Sequence, residues 1–156
     1  MNGLVWTLAH QALFGAIAAA GFGVLFNFGL RSLPYCALAG ALALAVRTLG
    51  LTAAGWSLEG ATFAAALLTS CAVRLLRRQL GAAGNAMALA GCIPMVPGAF
   101  FSQAILGLFA LTAPNPEHDG RLGVLAMEHM LRVIFTLVAI GAGLAIPAHL
   151  LRTRDF

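Results

Sequence analysis

Lysine is absent, and charge of either sign is scarce. The 156 residues carry nine cations, all of them Arg, against five acids, and charged residues make up only 9% of the chain. A soluble domain is roughly 25% charged and about 45–50% apolar, whereas apolar residues here reach 61%. So little polar material cannot cover a water-facing surface, which excludes a soluble globular enzyme and a disordered chain. The Arg residues sit scattered at the ends of apolar runs rather than along a stripe, so the high pI is a topology signal and nucleic acid is not an expected partner. Cysteine is limited to Cys36, Cys71 and Cys92, dispersed and without a C-x-x-C pair. That set gives neither a disulfide framework nor a zinc site, and the three read as small packing residues. No cleavable signal peptide is expected, because Met1–Ala9 hold no cation. Catalytic signatures are missing as well: there is no Gly-x-Ser-x-Gly, no His-Glu-x-x-His, no phosphate-binding loop and no paired carboxylates. No enzyme activity, metal or cofactor is expected.

What remains is an all-α integral membrane protein. A spanning helix needs about 20 mostly apolar residues. Five stretches qualify or nearly do: about Leu4–Phe28, a short one from Tyr35 in which Arg47 arrives early, about Ser57–Leu76, about Asn85–Leu111, and about Arg121–Leu151. Every second connection is basic. Arg31 follows the first stretch, Arg74, Arg77 and Arg78 close the third, and Arg152 and Arg154 follow the fifth. The fourth and fifth are joined by the acidic, turn-rich run Pro114–Gly120. Because cytoplasmic loops hold the Arg excess, the sequence predicts a single domain, residues 1–156, of five transmembrane helices with the N-terminus outside and the C-terminus inside. A four-span arrangement would put Arg31 and the triple-Arg connection on opposite sides or leave a long apolar loop. Small residues recur at helical spacing, as in Ala16/Ala20, Ala37/Ala41/Ala45, Gly60/Ala64 and Gly141/Ala145. Such stripes allow close helix approach, although Ala is frequent enough to produce them by chance.

Few polar residues are left to carry function. Ile93-Pro94-Met95-Val96-Pro97-Gly98 interrupts the fourth stretch. Two prolines remove two backbone donors and forbid regular helix there, predicting a fourth helix broken at Pro94–Gly98. Freed carbonyls in hydrocarbon need partners, and broken helices recur at transporter substrate sites. A half-helix starting at Pro97 would aim the N–H groups of Gly98, Ala99 and Phe100 at the break, an end that favours anions, with Ser102 and Gln103 just inside. The alternative is a plain proline kink. Arg47 lies within a span, where it either neutralises a carboxylate or snorkels to the outer interface. Glu59 is either its partner or an ordinary first-turn acid after Ser57. Glu128 and His129, with Arg132, are coupling candidates at the start of the fifth stretch. That stretch is roughly 30 residues, about 45 Å long, which exceeds the ~30 Å core and places the cluster in water or in a vestibule. His10 and His149 are read as structural.

Gly21-Phe22, Phe26-Asn27, Arg31, Arg47, Glu59 and Ile93-Pro94-Met95-Val96-Pro97-Gly98 occur in an order that resembles the small, YjjB-like subunit of the threonine/serine exporter family. The resemblance covers roughly residues 10–150, with the I-P-x-x-P-G piece most specific. It implies one half of a transporter built from two five-span halves, fused or separate. The partner would be a larger, YjjP-like five-span subunit with a cytoplasmic domain, and this chain would not work alone. It further implies export of threonine and serine or, for two-component members, of succinate and related dicarboxylates. The expected setting is the plasma (inner) membrane, with lipid around the protein and a homo-oligomer compatible with it. Five is an odd number of spans, so a second half of similar topology would be inverted, with the site at the repeat interface. Arg47, Pro94, Pro97, Gly98, Ala99, Ser102 and Gln103 are the expected substrate-site residues, and a proton gradient the expected driving force. The competing reading is a non-transporting scaffold that stabilises a membrane partner; it requires neither a broken span nor an intramembrane Arg.

Overall fold

The computed structural model describes residues 2–76, 84–112 and 120–150. Arg77, Arg78, the acidic run through Asp119, Arg152 and Arg154 lie outside the described residues. Within them the chain is all-helical: α1 (Asn2–Leu25), α2 (Leu33–Thr52), α3 (Leu58–Leu75), α4 (Gly84–Cys92), α5 (Gly98–Thr112) and α6 (Gly120–Leu150), with 3₁₀ turns at Leu30–Ser32 and Ile93–Met95. Four helices are long and apolar enough to cross a membrane, or five if the interrupted α4–α5 pair counts as one span.

The helix ends follow from local chemistry. Asn27 adopts a left-handed φ of 57°, tolerable for Asn. It lets Asn27 N–H reach the Val24 carbonyl and Phe28 N–H the Gly23 carbonyl, both at 2.9 Å, the paired bonds of a Schellman stop. Pro34 sits in the first turn of α2, where its missing N–H removes nothing from the helix. Ser57 caps α3, its Oγ accepting from Gly60 N at 3.1 Å, with Glu59 in the first turn. The second span is not short: α2 continues through Arg47 to Thr52, because the Arg side chain leaves the backbone ladder intact and finds its own partner.

Two compact units make up the chain, Met1–Met95 with Ala139–Phe156, and Val96–Val138. In the first, small residues set the helix spacing. A Cβ on Gly15 would stand 2.5 Å from the Gly40 carbonyl oxygen, and one on Gly40 would strike Gly15 and Ala19. Similarly, a Cβ on Gly91 would meet that of Ala39 at 2.6 Å, and one on Gly143 would meet that of Ala66 at 2.7 Å. Buried around these contacts are Cys36, Val73, Met87 and Ala88, and then Ala43, Ala65, Cys92, Met95 and Ile140. Cys36 and Cys92 are fully buried and Cys71 half-buried, all as free thiols, in keeping with packing roles. Gly91 apart, these closely packed small residues are one or two positions away from the repeats the sequence suggests. A Cβ on Gly141, for example, would meet nothing within 4 Å, and Gly60 is exposed. With Ala on every face, spacing could not select a register; the neighbouring helices did.

In the second unit, α5 and the first part of α6 run antiparallel. Leu111 lies against Gly123, a Cβ on Gly107 would stand 2.7 Å from that of Ala126, and Phe100 faces His129.

Candidate functional site

The break lies where the two prolines place it. In a continuous helix, Pro94 and Pro97 would leave the carbonyls of Ala90 and Ile93 without donors. The chain responds by ending α4 at Cys92, tightening into a 3₁₀ turn at Ile93–Met95 and restarting at Gly98. Met95 and Pro97 are buried, Pro94 half-buried. Gly98 N–H donates to the Val96 carbonyl at 2.9 Å, and Phe101 N–H to that of Pro97 at 3.1 Å. This corrects one expectation: the N–H of Gly98 closes the turn and is withdrawn from the set proposed to hold an anion.

Arg47 meets the break directly. Its Nη1 donates to the Met95 carbonyl at 3.2 Å, an acceptor that loses its helical partner at the interruption. The guanidinium is thus turned inward rather than snorkelling. Nε is buried and has no hydrogen-bond partner. Among the described residues the ion pair is that of Glu128 with Arg132, so no carboxylate there neutralises Arg47. Glu59 in particular does not pair with it and stays a first-turn acid of α3. Arg47 lies five residues before Thr52, about 7.5 Å from the end of α2 at 1.5 Å per residue. The site in this unit is therefore displaced from the middle of α2 toward its C-terminal end. Neither the Met95 carbonyl nor its pairing with Arg47 was legible in the sequence; the signal available was a carbonyl freed between two prolines, and nothing local ties it to a residue in another helix.

The remaining expected residues belong to the second unit. Ala99, Ser102 and Gln103 are exposed in the first turns of α5, and Ser102 Oγ donates to the Gly98 carbonyl of its own helix at 3.1 Å. Glu128 and Arg132 pair one turn apart on α6, Nε and Nη2 both donating to Oε1, at 3.2 and 3.1 Å. Phe100 organises this cluster, a role that its sequence context does not signal. Its ring centroid is 5.5 Å from that of His129, and the Arg132 guanidinium lies 5.7 Å from it, a cation–π distance. His10 stacks on Phe14 one turn away.

The prolines give a direct test of the break. Pro94→Ala with Pro97→Ala should let α4 run into α5. Each interior proline costs a helix about 3 kcal/mol, so the double variant is expected to melt higher than the parent in detergent while losing transport. A double variant that exports at the parental rate would reduce the motif to a kink.

Apolar helices of spanning length, a half-buried Arg47 that no carboxylate among the described residues neutralises, and an interrupted span define a multi-pass membrane protein. Residues 11–150 match the family described as Threonine/Serine exporter, ThrE. The chain belongs to the threonine/serine exporter family, a family of transporters rather than enzymes. No solved structure matches it.

Proposed function

We propose that this protein is the small membrane subunit of a two-component secondary exporter of small carboxylates. Its substrates are succinate and related dicarboxylates, or threonine and serine, and it works with a larger five-span subunit in the inner membrane. The observation that carries this reading is Arg47. A guanidinium inside a span is expensive to keep, and here it is engaged by one backbone carbonyl at an interrupted helix, with Nε buried and unpaired. Arg presents a planar fork that matches a carboxylate. An anionic solute would supply the missing counter-charge, and the break would hold the local geometry around it. The experiment is efflux from cells preloaded with labelled succinate or threonine, expressing this chain alone, the larger subunit alone, or both. Export only from the pair supports the reading. Export by the larger subunit alone, at the rate of the pair, would overturn it.

The proposed membrane arrangement is five spans, with α4 and α5 together forming the fourth, the N-terminus outside and the C-terminus inside. It rests on Arg31, on Arg74, Arg77 and Arg78 closing the third stretch, and on Arg152 and Arg154 after the fifth. A reporter active only in the cytoplasm should give signal when fused at the C-terminus and none when fused at residue 1. Both ends on one side would rule out an odd number of spans.

A further inference from the structure

The Glu128–Arg132 pair is half-exposed, with 42% of the Arg132 side chain and 51% of the Glu128 side chain uncovered. Its depth can be read from the α5–α6 hairpin alone. The sequence between the two helices, with Asn115, Glu117, His118 and Asp119, is polar, so the helix ends beside it, Thr112 and Gly120, mark a membrane face. Counting from the ends of the two helices beside it, Glu128 lies about 12 Å, and Arg132 and Phe100 about 18 Å, along the hairpin at 1.5 Å per residue. One alternative is that the hairpin projects into water, leaving the pair at the membrane edge. The intervening surface argues against it. Leu106, Phe109, Val124 and Met127 lie between the connection and the pair, and each is more than half exposed. A projecting stalk would present that apolar surface to water. Beyond the pair, Ile134, Phe135 and Val138 are exposed as well. The charges are bracketed by lipid-compatible surface on both sides, at a depth where ionisable groups face protein or a water-filled cavity rather than lipid.

The helix separates two faces at this depth. Leu125, Glu128, Arg132 and Phe135 share one side of α6 at helical spacing, while Met127, Leu131, Ile134 and Val138 share the neighbouring one. The second set is wholly apolar and exposed, as a lipid face requires. The first carries both charges, and Arg132 is held in place by the Phe100 ring as well as by Glu128. The exposed Ser102 and Gln103 add polar groups to the same stretch of the hairpin, on α5.

We propose that the Glu128–Arg132 face of the α5–α6 hairpin borders a water-filled cavity reaching into the membrane, and that this cavity is part of the path of the exported solute. The second clause rests on the exporter reading; the first does not. A fixed pair of opposite charges gives a small carboxylate or zwitterion a guanidinium and a carboxylate to exchange partners with, while the pair closes on itself when the solute leaves.

The test uses the full chain, with Cys36, Cys71 and Cys92 replaced by Ala, in native membranes and with a membrane-impermeant, charged thiosulfonate. Leu125→Cys, Glu128→Cys and Phe135→Cys should be modified at least tenfold faster than Met127→Cys and Ile134→Cys. Leu125 and Phe135 keep the test valid should Glu128→Cys misfold. Equal rates on both faces, or no modification of the charged face, would overturn the cavity, the first by placing the hairpin outside the bilayer and the second by showing lipid or a protein partner over it. The path clause is read separately. With the larger subunit present, Glu128→Ala should reduce efflux at least tenfold and the reversed pair Glu128→Arg with Arg132→Glu should recover part of it. Fast modification with undiminished efflux by Glu128→Ala would leave the cavity standing and remove it from the path.

Discussion

Arg47→Lys is expected to yield a protein that inserts, accumulates and melts close to the parent yet exports at least tenfold more slowly. Lys keeps the charge and one donor for the Met95 carbonyl, so the break stays braced. It loses the planar fork that can serve that carbonyl and a carboxylate together. Arg47→Ala removes both functions. It leaves the buried Met95 carbonyl without its side-chain donor, a loss of about 1–3 kcal/mol for an unsatisfied buried group, partly offset because a charge is no longer held in a poorly hydrated place. Export should be abolished and the melting midpoint in detergent lowered modestly. The two variants separate bracing from recognition when efflux is measured beside membrane abundance and midpoint. Parental efflux from Arg47→Lys would assign the residue to the break alone.

The largest effect on stability is expected at Gly40. Its Cβ position is occupied by the backbone of Gly15 and the side chain of Ala19, so Gly40→Val cannot be accommodated by turning a flexible side chain. Helix α1 would have to move off α2. Overpacking of this kind costs about 1–3 kcal/mol when the surroundings yield, and backbone on both sides gives this contact little room to do so. We expect Gly40→Val to reduce the folded fraction recovered in mild detergent severalfold. Gly141→Ala is the control, because nothing lies within 4 Å of its Cβ position. Replacing a helical Gly by Ala there should be neutral or stabilising by roughly 0.5–1 kcal/mol. If Gly40→Val is recovered as well as Gly141→Ala, the α1–α2 contact described above is wrong.

The two glycines also show where sequence reading stops. Both are helical Gly residues in apolar stretches, and the sequence offers a small-residue repeat at Gly141/Ala145 but none through Gly40. The structure reverses their importance, because a glycine matters when another backbone passes over it, and that is a property of two helices rather than of one. The proline pair behaved in the opposite way. A missing N–H and a fixed φ act on the chain that contains them, so Pro94 and Pro97 dictated an interruption whatever surrounded them. Arg47 falls between these cases. That a cation inside a span requires a partner follows from its chemistry, but both outcomes, snorkelling and inward pairing, satisfy that requirement. Only the approach of α2 to the turn at Ile93–Met95 selected the second.

By itself, then, the sequence determined an all-helical, multi-pass membrane protein, the interruption before Gly98 and the capping of α3 by Ser57. Each depends on composition or on groups a few residues apart. The tertiary structure decided which Ala and Gly residues pack closely, that Arg47 braces Met95, and that Phe100 gathers His129 and Arg132. Those outcomes depend on which faces of different helices meet, and in a chain with small apolar residues on every face, many registers satisfy the same local chemistry.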